Sequence, residues 1–501
     1  MGKPKRNVGM GSVGRSSARK VKVSGPSAGH IDLEGRALDL VKLGRLQEAE
    51  EIYRKIIAAG DSNHAVCNSL AAICMVQGRL DEAVGLLGQA LELNPSYPEA
   101  YVNLGNALKA QGKLDAAVAS YRKALKIRQN FPEAYNNLGS ALQEQGNLDA
   151  AIASINKALE LNPGYSKAHD NLGNALKAQG DLDAAIASFN KVLELNPSCP
   201  EAHVSLGVAL HERGNFSAAI ASCHKALALR PNYPEAYNNL GFALQEQGNF
   251  DAAIASYNKA LTLKPDYPEV HNNLGNALQE QGNLDAAIAS YSKALAIRPD
   301  CPQAHNNLGN ALQGQGDLPA AIACYGKALE LNYSYPDAHY NLGNALQEQG
   351  DLPAAIASYG MALELSPGYP GANWNLSHSM LLGGDYKNGW EKYEYRFRRK
   401  SGQVILHANP QCIQWSGSEL KANDELILVS EQGFGDTLQF MRYALAFRRK
   451  GIQVSLCAPQ NLHSLIRISG IDSAPLTPEQ ANAVTEGHWI PLLSLPRYLE
   501  V

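Results

Sequence analysis

Residues 98–131 read PEAYVNLGNALKAQGKLDAAVASYRKALKIRQNF, and this stretch decides the fold. Tyr101, Leu104 and Leu108 recur at the spacing of one helical face, which predicts an amphipathic helix in the first half. Gly112 follows that helix, and glycine adopts the left-handed conformation that commonly ends helices at little cost. The first half of the stretch is therefore predicted to be one helix closed by a glycine turn.

The second half of the stretch predicts another helix, on which Leu114, Ala117 and Tyr121 share one face. Gly105 in the first helix and Ala117 in the second have almost no side chain, so the two helices can approach closely. Such a hairpin leaves one apolar face uncovered, and only the next hairpin can cover it. The sequence thus predicts a stack of helical hairpins.

The same pattern recurs every 34 residues along most of the chain. Ten units span residues 30–369, and a degenerate eleventh spans 370–403, with Ser377 where the interhelical glycine is expected. The glycines that follow one another at this spacing are Gly44, Gly78, Gly112, Gly146, Gly180, Gly214, Gly248, Gly282, Gly316, Gly350 and Gly384. We therefore predict a mostly α-helical solenoid over residues 30–403.

This unit resembles the tetratricopeptide repeat. The residues that match the family pattern in the unit beginning at Pro98 are Tyr101, Leu104, Gly105, Leu108, Ala117, Tyr121 and Ala124. The resemblance covers over two thirds of the chain. It implies a right-handed α-superhelix in which the first helix of each hairpin lines a concave groove.

Asparagine recurs immediately before the Leu-Gly pair of the first helix. An asparagine amide carries a donor and an acceptor side by side, which match the C=O and N–H of a peptide bond. A row of them could hold an extended peptide without reading its side chains; the alternative is that the residue recurs only because the repeats were duplicated. The row also resembles the repeat region of protein O-linked N-acetylglucosaminyltransferases. The candidate peptide-binding residues are Asn103, Asn137, Asn171, Asn239, Asn273, Asn307, Asn341 and Asn375.

Histidine recurs at another repeat position and raises the question of a metal array. Two helices separate successive members, and packed helices lie about 8–10 Å apart, whereas zinc needs its nitrogens within about 2.1 Å. We therefore predict packing or groove lining, and no metal or other cofactor. These histidines are His169, His203, His271, His305 and His339.

The final hundred residues depart from the repeat. A linker is predicted at 404–423 and a partial domain at 424–501. Residues 425–430 read as a buried parallel strand, 437–450 as a helix and 452–458 as a second strand. This alternation predicts a short, incomplete α/β Rossmann-like segment after the solenoid.

Residues 431–443, EQGFGDTLQFMRY, resemble bacterial proteins in which tetratricopeptide repeats precede a GT-B glycosyltransferase. The Gly-rich loop is Gln432, Gly433 and Gly435, and Asp436 resembles the heptosyltransferase aspartate that is proposed to activate an acceptor hydroxyl. A helix N-terminus stabilises the carboxylate and so weakens it as a base. Asp436 is therefore either the catalytic base or a helix cap.

From Glu425 to Val501 there are 77 residues, fewer than the two domains of a GT-B enzyme need. The expectation is that this chain alone transfers no sugar, and that it would bind a nucleotide-sugar only if the missing domain were supplied. Two functions remain: a scaffold that binds proteins or extended peptides, and the acceptor-binding portion of a glycosyltransferase acting on proteins or glycans.

Charge and composition restrict the remaining classes. The chain has 44 Lys and Arg against 48 Asp and Glu, which argues against a chain built mainly to coat nucleic acid. Residues 1–29 are predicted to be a disordered basic tail, the one segment suited to weak nucleic-acid contact. No apolar run is long enough for a membrane span, and eight cysteines without a CxxC pair predict reduced thiols and a cytoplasmic location.

Overall fold

The computed structural model of the protein describes residues 28–61, 63–398, 404–431 and 433–499. It divides into two compact units, Met1–Pro231 and Asn232–Val501. Residues 1–27, which hold nearly all of the predicted basic tail, lie outside the described residues, as does Gln432.

The first unit is built of helical hairpins. Each consists of a first and a second helix of one repeat, in the pairs α1 (Ala28–Lys42) and α2 (Leu46–Ala58), α3 (His64–Val76) and α4 (Leu80–Leu93), α5 (Pro98–Ala110) and α6 (Leu114–Ile127), α7 (Pro132–Glu144) and α8 (Leu148–Leu161), α9 (Ser166–Gln179) and α10 (Leu182–Leu195), and α11 (Pro200–Glu212) and α12 (Phe216–Leu229).

The second unit continues the same pattern before it changes class. Its hairpins are α13 (Pro234–Glu246) and α14 (Phe250–Leu263), α15 (Pro268–Glu280) and α16 (Leu284–Ile297), α17 (Pro302–Gly314) and α18 (Leu318–Leu331), α19 (Pro336–Gln349) and α20 (Leu352–Leu365), and α21 (Pro370–Leu382) and α22 (Tyr386–Tyr393). The predicted mostly helical solenoid is confirmed.

Two signals in every repeat shape its turn. The recurring glycine has a positive φ, between 75° and 92°, in each hairpin turn, as predicted at Gly112. In most repeats an Asn or Asp follows it and caps the second helix; the Asp181 side chain, for example, accepts a hydrogen bond from the Ala184 backbone N–H. Glycine and cap together account for the short, constant connection.

Small residues set the distance between the helices of a hairpin. A Cβ placed on Gly275 of α15 would lie 2.5 Å from Cε1 of Tyr291 in α16, so the tyrosine ring occupies the space that the missing side chain leaves. Ala287, one turn before Tyr291, is fully buried at the same contact. The close approach predicted from the small residues is therefore present.

Hydrogen bonds also tie neighbouring repeats together at their surface. The Gln145 side chain donates to Asp115 of the preceding repeat at 2.7 Å, and other repeats use the same pair of positions. First helices contact one another from repeat to repeat, as α5 contacts α7 and α15 contacts α17, and they lie closer together than successive second helices. They therefore line the inner side of each stack.

After α22 the chain forms a 3₁₀ helix at Glu394–Arg398 and then a parallel sheet. The strands are β1 (Ile413–Gln414), β2 (Glu425–Val429), β3 (Gln453–Cys457) and β4 (His488–Pro491), in the order β1-β4-β2-β3. The helices between them are α23 (Phe434–Phe440), α24 (Ala444–Arg449), α25 (His463–Ile468) and α26 (Pro478–Asn482), with further 3₁₀ turns at Met441–Tyr443, Gln460–Leu462 and Leu492–Tyr498.

Both faces of this sheet are buried, which explains the nearly continuous apolar run of β2. Leu426 and Leu428 pack with Phe440 and Phe447 on one face, whereas Ile427 lies on the other. Register pairs Leu426 with Val454 of β3 on one side and with His488 of β4 on the other. The predicted parallel α/β segment is confirmed.

The predicted linker at 404–423 is part of the sheet segment. It contributes β1, and Trp415 of this stretch is buried in the same core as β2. The sequence concealed the strand because Ile413 and Gln414 are both exposed and carry no apolar alternation. The boundary of the α/β segment therefore lies before β1.

A buried ion pair joins the eleventh repeat to the sheet segment. The Arg396 guanidinium donates to both carboxylate oxygens of Glu431, each at 2.9 Å, and to the Ser494 hydroxyl at 2.8 Å. Arg396 is 2% exposed, and Trp390 packs its ring edge-on against Phe440 at 5.6 Å. The degenerate repeat therefore shares a core with the α/β segment.

Candidate functional site

The candidate site is the face formed by the first helices, where the eight predicted asparagines occupy the same repeat position. In α15, for example, Asn273 stands beside Leu274, which is buried in a cluster with residues of the preceding helix, α14. All eight asparagines are partly exposed, and we call them the Asn ladder: Asn103, Asn137, Asn171, Asn239, Asn273, Asn307, Asn341 and Asn375.

Most rungs of the Asn ladder donate a hydrogen bond from Nδ2 to the first helix of the preceding repeat. The acceptors lie 35 residues earlier in the pairs Asn103–Asn68 (2.8 Å), Asn171–Asn136 (2.8 Å), Asn273–Asn238 (3.1 Å), Asn307–Asn272 (3.2 Å), Asn341–Asn306 (3.0 Å) and Asn375–Tyr340 (3.2 Å). The amide groups are thus held in one orientation by neighbouring repeats.

A buried tyrosine extends this network into the hairpin. The Tyr291 hydroxyl donates to Oδ1 of Asn276 at 2.7 Å, and the same oxygen accepts from Nδ2 of Asn307 at 3.1 Å. Equivalent chains run through Asn106 to Asn137 and through Asn344 to Asn375. Each tyrosine ring is buried. The ladder asparagine at the end of each hydrogen-bond chain is therefore held in place by the packed interior.

These bonds decide what a rung can offer a ligand. An asparagine amide has two N–H hydrogens and an oxygen with two lone pairs. Asn307 and Asn375 donate both hydrogens within the repeats, so their oxygens remain to accept from a peptide N–H. Asn273 and Asn341 each donate one, which leaves a donor as well as an acceptor.

Two cavities lie on this face in the first unit. One, of about 490 Å³, is lined by Asn106, Asn137 and Asn171 together with Lys109 and Glu144. A second, of about 550 Å³, is lined in part by Asn171, Asn174, Lys177 and Glu212. The Asn ladder therefore borders concave, polar space of the size in which ligands bind.

Sequence reasoning missed the residues that orient the Asn ladder. Asn106, Asn276 and Asn344 stand three residues after a rung, and their recurrence in the sequence was the signal that could have revealed them. Asn136 and Asn306, which accept from rungs, are buried despite being polar. They act through the rungs, so they are positioning residues.

The predicted Gly-rich loop follows β2 at the carboxyl edge of the sheet. Gly433 has φ of 115°, and a Cβ there would lie 2.9 Å from Oδ2 of Asp436, so the aspartate side chain folds back over the glycine. Asp436 is exposed in the first turn of α23, as is Gly435. This placement is typical of a carboxylate at a helix N-terminus.

Family comparisons agree with the hairpin geometry. Models described as TPR repeat match residues 72–112, 105–146, 246–282 and 275–316, and models described as tetratricopeptide repeat match 131–198, 171–234, 223–255 and 306–370. Together they cover residues 72–370 without a gap, which is more than half of the chain. The chain is a tetratricopeptide repeat protein.

Several solved structures are similar to this tetratricopeptide repeat protein. MamA is 30% identical over 32% of this chain and 95% of its own, with a TM-score of 0.30. YrrB, described as a TPR protein with an unusual peptide-binding site, is 24% identical over 37% of this chain and 96% of its own, with a TM-score of 0.31. A Parabacteroides merdae tetratricopeptide repeat protein is 20% identical over 50% and 100%, with a TM-score of 0.44. These scores are low and carry no argument about function.

No curated protein matches this tetratricopeptide repeat protein. The family matches end at residue 370, and they give no support to the predicted relation of residues 424–501 to glycosyltransferases. Among the described helices, none is both long and apolar enough to cross a membrane.

The recurring histidines of the tetratricopeptide repeats bond to their own backbone turns. Nε2 of His271 lies 3.0 Å from the Pro265 carbonyl oxygen, and His169, His305 and His339 make the equivalent contact. Burial lowers the pKa of His203 and of His271, which favours the neutral ring. Within the described ranges, no three side chains of His, Cys, Asp or Glu are grouped closely enough to hold a metal ion.

Proposed function

We propose that the protein is a binding scaffold whose Asn ladder holds an extended segment of a partner protein. The observation that carries the proposal is the fixed orientation of the rungs, which neighbouring repeats and buried tyrosines hold through hydrogen bonds. Preorganised polar groups lose little conformational freedom when a ligand binds, so their hydrogen bonds contribute more to affinity.

Asn273, Asn307 and Asn341 follow one another at a spacing of one repeat in the second unit, and each donates from Nδ2 to the preceding first helix, which leaves its carbonyl oxygen to accept from a ligand. Successive first helices lie about 10 Å apart, which equals about three residues of an extended chain. A peptide laid along the ladder would therefore donate one backbone N–H to each rung. Recognition through the backbone admits partners of different sequence.

The test is binding of labelled, unstructured peptides to the full chain, followed by fluorescence anisotropy. The variant carries Asn273→Ala, Asn307→Ala and Asn341→Ala. Each lost hydrogen bond costs about 0.5–1.5 kcal/mol, so the triple variant is expected to bind at least about tenfold more weakly.

A matched control removes three asparagines from second helices, where Asn156, Asn190 and Asn258 are all exposed. Asn156→Ala, Asn190→Ala and Asn258→Ala together are expected to leave affinity unchanged. Circular dichroism establishes that both variants keep their helices. Equal affinity of the ladder variant and the unchanged protein contradicts the proposal.

The alternative predicted from the sequence is the acceptor-binding portion of a protein or glycan glycosyltransferase, with Asp436 as base. Gly433 is the N-cap of α23 and no side-chain cap hydrogen bond forms there, so Asp436 is an exposed carboxylate of the first turn, and no described contact favours the transferase. Its test is a calorimetric titration of the full chain with UDP- and ADP-sugars, in which the absence of heat excludes donor binding.

A further inference from the structure

The first helices of the second unit combine the Asn ladder with acidic residues and no basic residue of their own. The sequences of α13, α15, α17 and α19 contain no Lys or Arg. Their acidic residues are Glu235, Glu246, Glu269, Glu280, Asp337 and Glu348. We call the first-helix surface of α13, α15, α17 and α19 the acidic face.

In the first unit, two glutamates at the repeat position of Glu280 and Glu348 are paired with lysine. Lys109 of α5 forms an ion pair with Glu144 of α7 at 2.8 Å, and Lys177 of α9 does so with Glu212 of α11 at 3.4 Å. All four side chains line the cavities beside the Asn ladder. This pair of repeat positions therefore faces the proposed ligand.

In the second unit, glutamine replaces that lysine. Nε2 of Gln313 donates to Glu348 at 2.8 Å, so the contact between neighbouring repeats is kept while its positive charge is lost. Gln245 and Glu280 occupy the same two positions two repeats earlier along the stack. Both glutamates are exposed, and neither forms an ion pair with another described residue.

Not every acidic residue here is free to act. Arg298 pairs with Glu269 at 2.8 Å, and Asp337 accepts a hydrogen bond from the Tyr369 hydroxyl. Glu280 and Glu348, which form no ion pair with another described residue, supply negative charge beside the ladder. Two carboxylates on a concave surface attract a cationic ligand more strongly than they would on a flat, fully hydrated one.

We propose that the acidic face selects extended peptide segments that carry Lys or Arg residues about six residues apart. The proposal rests on the function proposed for the Asn ladder and adds the chemistry of the partner. The rungs hold the peptide backbone. Glu280 and Glu348, each seven residues after a rung on the same helix, meet the cationic side chains. The spacing follows because Glu280 and Glu348 are two repeats apart, which is about 20 Å, and an extended chain rises about 3.3 Å per residue.

The test uses two labelled peptides of equal length with Lys or Gln at every sixth position among Ser and Gly. Fluorescence anisotropy measures their binding to the full chain. The Lys peptide is expected to bind about threefold to tenfold more tightly, with a preference that shrinks as salt is added. Equal affinity of the two peptides overturns this inference and leaves the proposed function standing, whereas binding of neither overturns both.

A charge-restoring variant locates the effect. Gln245→Lys with Gln313→Lys recreates the ion pairs of the first unit, and it is expected to remove most of the preference for the Lys peptide while keeping Gln-peptide affinity. Asn190→Lys with Asn258→Lys adds the same net charge on exposed second-helix positions and is expected to change little. An equal loss in both variants shows a diffuse charge effect and overturns the assignment to the acidic face.

Discussion

Replacing Gly275 by alanine tests the packing that defines each repeat. The added Cβ would lie 2.5 Å from Cε1, 2.7 Å from Cδ1 and 2.8 Å from Cζ of Tyr291. Favourable carbon contacts require about 3.5–4.0 Å, so the ring must shift by about 1 Å. Tyr291 is 1% exposed and has no solvent-filled space into which it could move.

The expected cost follows from three contributions. Overpacking of a well-filled core costs about 1–3 kcal/mol. Displacement of the ring also weakens the Tyr291 hydroxyl bond to Asn276, which is worth about 1 kcal/mol. Alanine regains up to about 1 kcal/mol over glycine inside a helix. The net expectation for Gly275→Ala is a local loss of about 1–3 kcal/mol.

The repeats provide a matched control at Gly207. There the facing residue is Cys223, whose Sγ would lie 3.2 Å from the new Cβ. A shift of a few tenths of an ångström relieves that contact, so the helical gain offsets most of its cost. Gly207→Ala is therefore expected to be neutral or slightly stabilising.

Hydrogen exchange followed by mass spectrometry measures both variants in the full chain, since local opening of a repeat need not unfold its neighbours. Peptides from α15 are expected to exchange about tenfold to a hundredfold faster in Gly275→Ala. Combining it with Tyr291→Cys should cost less than the sum of the two changes, because the clash is gone. Unchanged exchange in α15, or equal effects at Gly275 and Gly207, would refute the packing argument.

Three further predictions concern other contacts. Glu431→Gln removes one of the two carboxylates that pair with buried Arg396 and leaves Glu394, so it should cost about 1.5–3 kcal/mol and lower the urea midpoint reported by tryptophan fluorescence; an unchanged midpoint contradicts it. Tyr291→Phe removes the hydroxyl that positions Asn276 and should speed exchange in α15 by about fivefold, with wild-type rates as the contrary result. Burial lowers the pKa of His271 from 6.5, so near and below that pH the unfolded chain binds more protons than the folded chain. The protection of α15 from hydrogen exchange should therefore fall as the pH drops through this range. His271→Gln should abolish that part of the pH dependence.

The hairpins could be predicted because their signals are local. Gly112 ends a helix through its own positive φ. Tyr101, Leu104 and Leu108 have the spacing of one helical face, which is visible within eight residues of sequence. The orientation of Asn307 could not be predicted in the same way. Its partners, Asn272 and Asn276, lie in the preceding repeat, and whether it reaches them depends on how two hairpins stack.

The end of the solenoid shows the same limit. Arg396 stands in a segment rich in charged residues, yet it is buried and bonded to Glu431. Only the tertiary fold brings the two together across 35 residues. The short β1 was missed for a related reason, because parallel pairing with β4 makes Ile413 and Gln414 a strand without any local pattern.

Two requirements act on the Asn ladder at once, and together they explain its persistence. Each rung forms a hydrogen bond to the preceding repeat, so replacing the asparagine weakens the contact between the two repeats whether or not a ligand is bound. The same bonds fix the direction of its carbonyl oxygen, so losing it also removes a contact from the proposed binding face. Residues around the ladder carry no such double constraint, and there the units differ: Lys109 becomes Gln313 at the equivalent position. A constant backbone-binding row with variable charge beside it lets one repeat architecture acquire partner selectivity without altering the contacts that hold it together.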